Sequence, residues 1–241
     1  MFAPWCSEIR RSESAVGSIG SDTLCLNSVE FGAAAGPDLL TGWGAQVSFD
    51  RDRGLEHLGA YLETGSGMRF RPGTGERSRT GDRRVLTWLA REVLDSSHPR
   101  SLESAGSDLP VSSSEMQIYG EKVGVRRVVP ETLNEISDVS PETMIVMRRY
   151  TIQGDWDEFL SLWREVAELR EEHGFHVLFA VGDRDLRRFT WAFTTRETDF
   201  QEFLSQGQRQ YYDDPRRIEL ETINAYLQEI TLTPSRLLLV H

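Results

Sequence analysis

The apolar pattern between Met144 and His241 is the feature that most limits what this 241-residue chain can become. Met144 to Thr151 is an apolar run turning polar, which suits a strand. Gly154 and Asp155 break it, and Asp155 with Glu158 three positions on reads as a helix start with a capping box. Phe159, Leu160, Trp163, Val166, Ala167 and Arg170 then recur at helical spacing, so the chain from Trp156 to His173 presents one stripe to a sheet until Gly174 ends it. Phe175 to Val181 is apolar on both faces except at His176, as a covered strand is. Arg188 to Thr195 alternates, with Phe189, Trp191 and Phe193 on one face, and pairs antiparallel with the strand before it. A second helical region spans Asp199 to about Gln228, interrupted near Asp213-Asp214-Pro215, and Ser235 to Val240 supplies a last strand.

This order, βαββαβ, predicts the α+β class and a ferredoxin-like domain with its helices on one sheet face. The other face also carries apolar side chains. A second copy is the expected cover, giving a homodimer that closes as a dimeric α+β barrel.

The rest of the chain reads differently. Residues 1–143 hold 16 of the 20 glycines, against four in 144–241. That contrast predicts a weakly ordered N-terminal extension over 1–143 and a folded domain over 144–241, with the boundary between Ser137 and Met144. Within the extension, Gly54 to Glu63 suits a strand, and Met116 to Val129 suits two short ones. Val85, Leu86, Trp88, Leu89, Val93 and Leu94 form a stripe that predicts one amphipathic helix near 82–95. Ser101 to Ser114 reads as linker.

Charge and composition exclude several functions. The net charge of −11 divides about −6 before Met144 and −5 after it, so no basic face is offered to nucleic acid. No run of about 18 apolar residues predicts a membrane span, and the N-terminus does not read as a signal peptide. The cysteines, Cys6 and Cys25, stand apart and imply neither a disulfide framework nor a zinc site. A cytoplasmic location is expected. Lys122 is the single lysine, and it follows no glycine-rich loop, so no phosphate-binding loop is present. No metal and no cofactor is expected.

Several segments together resemble the NIPSNAP family and its dimeric α+β-barrel relatives. They are Arg148-Arg149-Tyr150, Gly154-Asp155-Trp156-Asp157-Glu158-Phe159, Trp163-Arg164, His173-Gly174-Phe175, Phe189-Thr190-Trp191-Ala192 and Tyr211-Tyr212-Asp213-Asp214-Pro215. The resemblance covers 144–241. It implies a dimeric barrel with an interior pocket, and relatives that include cofactor-free monooxygenases and heme-degrading enzymes.

Tyr150, His176 and Trp191 lie on strands and are the candidates for lining a pocket suited to a small apolar ligand. Plain core packing is the competing reading of the same three. Arg149 reads as a polar contact in that pocket or, the favoured reading, as a solvated strand residue. His57, in a stretch that resembles the first strand of glyoxalase-type metal domains, lacks further ligands. His173 and His176 do not share a helix face and so do not form a metal pair. Tyr211-Tyr212-Asp213-Asp214 combines phenols with carboxylates, but reads first as helix packing with Asp214 capping the helix opened by Pro215. A binding or interaction protein of unknown ligand, acting as a homodimer, is the expected function. The alternative is a cofactor-independent monooxygenase acting on a small apolar or aromatic substrate in the barrel interior.

Overall fold

The computed structural model describes residues 24–31, 43–44, 47–48, 51, 54–81, 84–92 and 123–238. Ten strands are present among them: β1 (Leu24–Phe31), β2 (Leu55–Glu63), β3 (Met68–Arg71), β4 (Glu76–Arg79), β5 (Arg84–Glu92), β6 (Val123–Leu133), β7 (Ile145–Ile152), β8 (His176–Asp183), β9 (Arg188–Thr194) and β10 (Leu227–Leu238). The sheet order is β2-β5-β1-β6-β8-β9-β7-β10, and β10 pairs with β2 through Ser235↔Glu63 and Leu237↔Tyr61. Eight strands therefore close into an antiparallel barrel within one chain, and the β3–β4 hairpin hangs on the edge of β10.

The closure has a regular plan. Taken in chain order without the hairpin, each half of the barrel has its strands in the spatial order fourth, first, third, second: β6-β1-β5-β2 and β10-β7-β9-β8. The fourth strand of each half then joins the second strand of the other, as β6–β8 and β10–β2. Closure leaves no strand edge within the ring that needs cover.

Helix α1 (Trp156–Glu172) lies on the outer face of the second half. Asp155 Oδ1 accepts from the amides of Asp157 and Glu158, each at 2.9 Å. Glu158 does not complete the capping box; its carboxylate accepts from the Tyr226 hydroxyl at 2.8 Å. At the other end Gly174, with φ of +83°, donates to Glu171, and Phe175 donates to Arg170, which is a Schellman stop. Trp156, Phe159, Leu160, Trp163, Val166 and Leu169 press onto Val146, Tyr150, Phe189, Trp191 and Phe193. Full burial of each such side chain stabilises the fold by about 1.5–3 kcal/mol. Beyond β9 the chain winds through α2 (Phe200–Glu202), a π turn (Phe203–Gly207), α3 (Arg209–Tyr212), α4 (Pro215–Glu219) and a 3₁₀ segment (Leu220–Tyr226).

Strand alternation sends the other side chains inward. Leu24, Leu26, Tyr61, Leu89, Ile145, Met147, Phe179, Val181, Ala192 and Leu237 form one cluster in the barrel lumen. An eight-stranded barrel is just wide enough for side chains to fill or to hold one small ligand. Ile136 and Val139, from the connector before β7, pack against the same cluster.

Two expectations are corrected here. The fold is not a ferredoxin-like domain of 144–241 with a weakly ordered N-terminal extension, closed as a dimeric α+β barrel by a second copy. It is a closed barrel to which the N-terminal half gives β1, β2, β5 and β6. The sheet face that called for a partner is the lumen face, and strands of the same chain cover it. The helix expected near 82–95 is strand β5 where the structure describes it, paired with both β1 and β2. Leu86, Trp88 and Ala90 pack on the outer face with Trp43 and Val47, while Leu89 faces the lumen. A strand apolar on both faces offers the same short-range pattern as a helix stripe. The linker over 101–114 lies outside the described residues.

Candidate functional site

The structure does not bring the three pocket candidates into one site. Tyr150 and Trp191 stand together on the outer face of the sheet, beneath α1, with ring centroids 6.2 Å apart. They are 4% and 0% exposed, and Phe159, Trp163 and Phe189 enclose them. His176 opens β8 opposite Thr194 and is exposed.

The lumen has a polar set of its own. Arg149, expected to be solvated, points inward beside Met147. Its Nη2 lies 2.5 Å from Glu63 Oε1, in ion contact but off the line of a hydrogen bond. The same nitrogen donates to Thr87 Oγ1 at 3.0 Å, and Nη1 donates to Thr233 Oγ1 at 3.3 Å. The side chain of Glu63 is 5% exposed and that of Arg149 is 26% exposed, so the pair reaches solvent through the arginine. Ser235 sits between Glu63 and Ile145 in the ladders; it is fully buried, and its hydroxyl has no hydrogen-bond partner among the described residues. Buried polar atoms are seldom left unpaired, and the Ser235 hydroxyl is one of several among the described residues that are. Tyr61 lies two residues from Glu63 on the same face, and burial pushes its hydroxyl pKa well up, keeping it a neutral phenol.

On the outer face, sequence reasoning missed a second polar group. Arg148 and Arg170 are 8% and 1% exposed, among aromatic rings. A signal was present: Arg170 occupies an apolar-stripe position of α1, and Arg148 alternates with Val146 and Tyr150. Tyr211 is buried against Arg170, with the guanidinium carbon 4.0 Å from its ring centroid. Asp214 does cap α4, accepting from Arg216 N at 2.9 Å. Its other oxygen lies 3.0 Å from His173 Nε2. Arg216 and then His173 hold the Asp214 carboxyl well below the usual carboxylate range.

Among the described residues there is no group of three metal-ligating side chains. His57 packs its ring against Trp43, centroids 5.1 Å apart. A surface cleft of about 300 Å³ lies between the β3–β4 hairpin and α2, lined by Met68, Arg77, Arg79 and Leu204 among others. Its lining includes none of Arg149, Glu63, Thr87, Thr233 or Ser235. Among the described residues no helix is long and apolar enough to cross a membrane.

No protein-family model matches the chain, and no curated protein matches its sequence. Among solved structures the chain is similar to a protein of Fusobacterium nucleatum subsp. nucleatum that is provisionally named a monooxygenase. The TM-score is 0.52 and the identity 11%, over 91% of this chain and 94% of that one. The likeness is one of fold. At 11% identity it carries no chemistry across. No family match shows the NIPSNAP resemblance. Most of its motifs map onto helix punctuation and the aromatic core under α1.

Proposed function

We propose that this chain is a binding protein for a small, largely apolar molecule carrying one polar group, taken into the barrel lumen at the Arg149–Glu63 end. The observation that carries the reading is the buried, partnerless hydroxyl of Ser235 beside that ion pair. Arg149, Thr87 and Thr233 would orient the polar group, and the apolar side chains around Tyr61, Met147, Leu89 and Phe179 would face the rest. Native mass spectrometry of the freshly purified chain, followed by thermal-shift titration with small aromatic and aliphatic alcohols and acids, tests it. Binding should raise Tm saturably, and Ser235→Val should abolish the rise. A rise that survives Ser235→Val together with Arg149→Met removes the lumen from consideration.

The name of the Fusobacterium protein favours a second reading, a cofactor-independent monooxygenase acting on a small aromatic substrate in the same interior. Oxygen consumption on adding an electron-rich phenol or hydroquinone separates the two. A binding protein leaves the oxygen level unchanged while the ligand still raises Tm.

A further inference from the structure

Two positive charges are buried side by side on the outer face of the barrel, and among the described residues no carboxylate pairs with either. Arg148 Nη1 donates to the Tyr150 hydroxyl at 3.2 Å, and Arg170 Nη2 donates to Gln208 Oε1 at 3.3 Å. The Nε atoms of both, and Nη1 of Arg170, are buried with no hydrogen-bond partner. Among the described residues neither arginine makes an ion pair with a carboxylate. Both guanidinium groups instead lie against Trp191, at 5.6 and 5.9 Å from the ring centroid, and Phe193, at 5.8 and 5.1 Å. Aromatic faces attract a cation but do not neutralise it, and two guanidinium groups flanking the same rings repel each other. Burial, and then the charge of Arg148, pulls the Arg170 pKa below its ordinary value. A buried charge without a counter-charge is costly, and its persistence in a rigid setting calls for an anion.

The setting is rigid. Arg148 is fixed by β7, whose alternation puts it on the face opposite to Arg149. The carbonyl of Arg170 belongs to the Schellman stop of α1. Gln208 follows directly on the π turn Phe203–Gly207, an insertion of a kind often found at functional positions. Tyr212 is 45% exposed yet feels both arginines. Burial pushes its hydroxyl pKa up, but Arg148, Arg170 and Arg217 outweigh that and bring it below the ordinary phenol value.

We propose that Arg148 and Arg170, with Gln208 and the Tyr212 hydroxyl, form a binding site for a small oxyanion. The unsatisfied N–H groups would hold two of its oxygens as guanidinium forks hold carboxylate or phosphate. Tyr212 stands at the solvent side and, when ionised, supplies the negative charge itself. Oxyanion and phenolate therefore compete. The titratable and charged groups around the site are Tyr150 on β7, Arg170 and His173 at the end of α1, Tyr211 and Tyr212 on α3, and Asp214 and Arg217 at α4. Asp214 is already engaged by Arg216 and His173. The site is separate from the lumen, so it stands or falls apart from the ligand reading above.

The test is thermal unfolding of the full chain titrated with inorganic phosphate in one arm and sodium benzoate in the other. Sodium chloride at equal ionic strength is the control. A saturable rise in Tm above the chloride control in either arm is expected, and the arm that gives it identifies phosphate or carboxylate as the ligand chemistry. Arg170→Met should bind at least about tenfold more weakly, and binding to the unaltered chain should weaken as pH rises through the Tyr212 titration. Tyr212→Phe should bind with no such pH dependence, which keeps the proposal testable where Arg170→Met fails to fold. The absence of a saturable rise in both arms would overturn the proposal. So would an undiminished response in Arg170→Met, or a Tyr212→Phe chain whose binding keeps the original pH dependence.

Discussion

Removing either member of the Arg149–Glu63 pair should destabilise the barrel, and by unequal amounts. Breaking a buried ion pair by deleting one partner costs about 3–5 kcal/mol, because the other charge is left buried and alone. Arg149→Met strands Glu63, whose side chain is 5% exposed, so the full range applies. Glu63→Leu strands Arg149, whose side chain is 26% exposed and keeps the Thr87 and Thr233 hydroxyls, so about 2 kcal/mol is expected. The double variant Arg149→Met with Glu63→Leu replaces the pair by apolar groups and should return to within about 1 kcal/mol of the original. Urea unfolding of the four chains closes a double-mutant cycle, with a coupling of about 4 kcal/mol or more. Additive effects, within about 0.5 kcal/mol, would refute the placement of these two side chains together in the lumen.

Other expectations follow from single contacts. Phe189→Ala empties a site that is 0% exposed and ringed by Tyr150, Trp156, Phe159 and Trp163, and should lower unfolding stability by about 3–5 kcal/mol in urea. A Cβ at Gly182 would lie 2.6 Å from Trp156 Cζ2, so Gly182→Ala should overpack the α1 interface and cost about 1–3 kcal/mol. Asp214 has its carboxyl pKa depressed in the folded chain by Arg216 and His173, so its contribution is present above pH 3.8 and is lost as pH falls below that. Asp214→Asn should accordingly flatten the acid limb of a plot of urea midpoint against pH, while retaining the cap on α4.

What was legible in the sequence was local. Asp155 and Gly174 bound α1 as their chemistry requires, and the alternation of Phe189, Trp191 and Phe193 located β9 and the face it buries. What was not legible depended on pairings between distant segments. Strand β5 carries apolar side chains on both faces because both the lumen and the outer layer take them, so Trp88 and Leu89 imitated a helix stripe. The closure itself rests on β10 meeting β2, as in Ser235 opposite Glu63, a pairing between segments far apart in the sequence. Arg149 read as solvated because nothing near it in sequence predicts Glu63 as a neighbour. Tyr150 and Trp191 were recognised as inward-looking, but the inside they occupy lies under the helix rather than within the barrel. The buried arginines were marked in sequence by their apolar neighbours. Their environment depends on Gln208, Tyr211 and Tyr212, which the irregular helical segment delivers.

The most direct measurement of the single-chain barrel is hydrogen exchange of the full chain by mass spectrometry, compared peptide by peptide. Slow exchange over 55–63 and 84–92, matching that over 145–152 and 227–238, is the expected result, because these strands share one closed hydrogen-bonded ring. Exchange of 55–63 and 84–92 at the rate of an unstructured chain, with 145–238 still protected, would contradict it and return the N-terminal half to the role of an appendage.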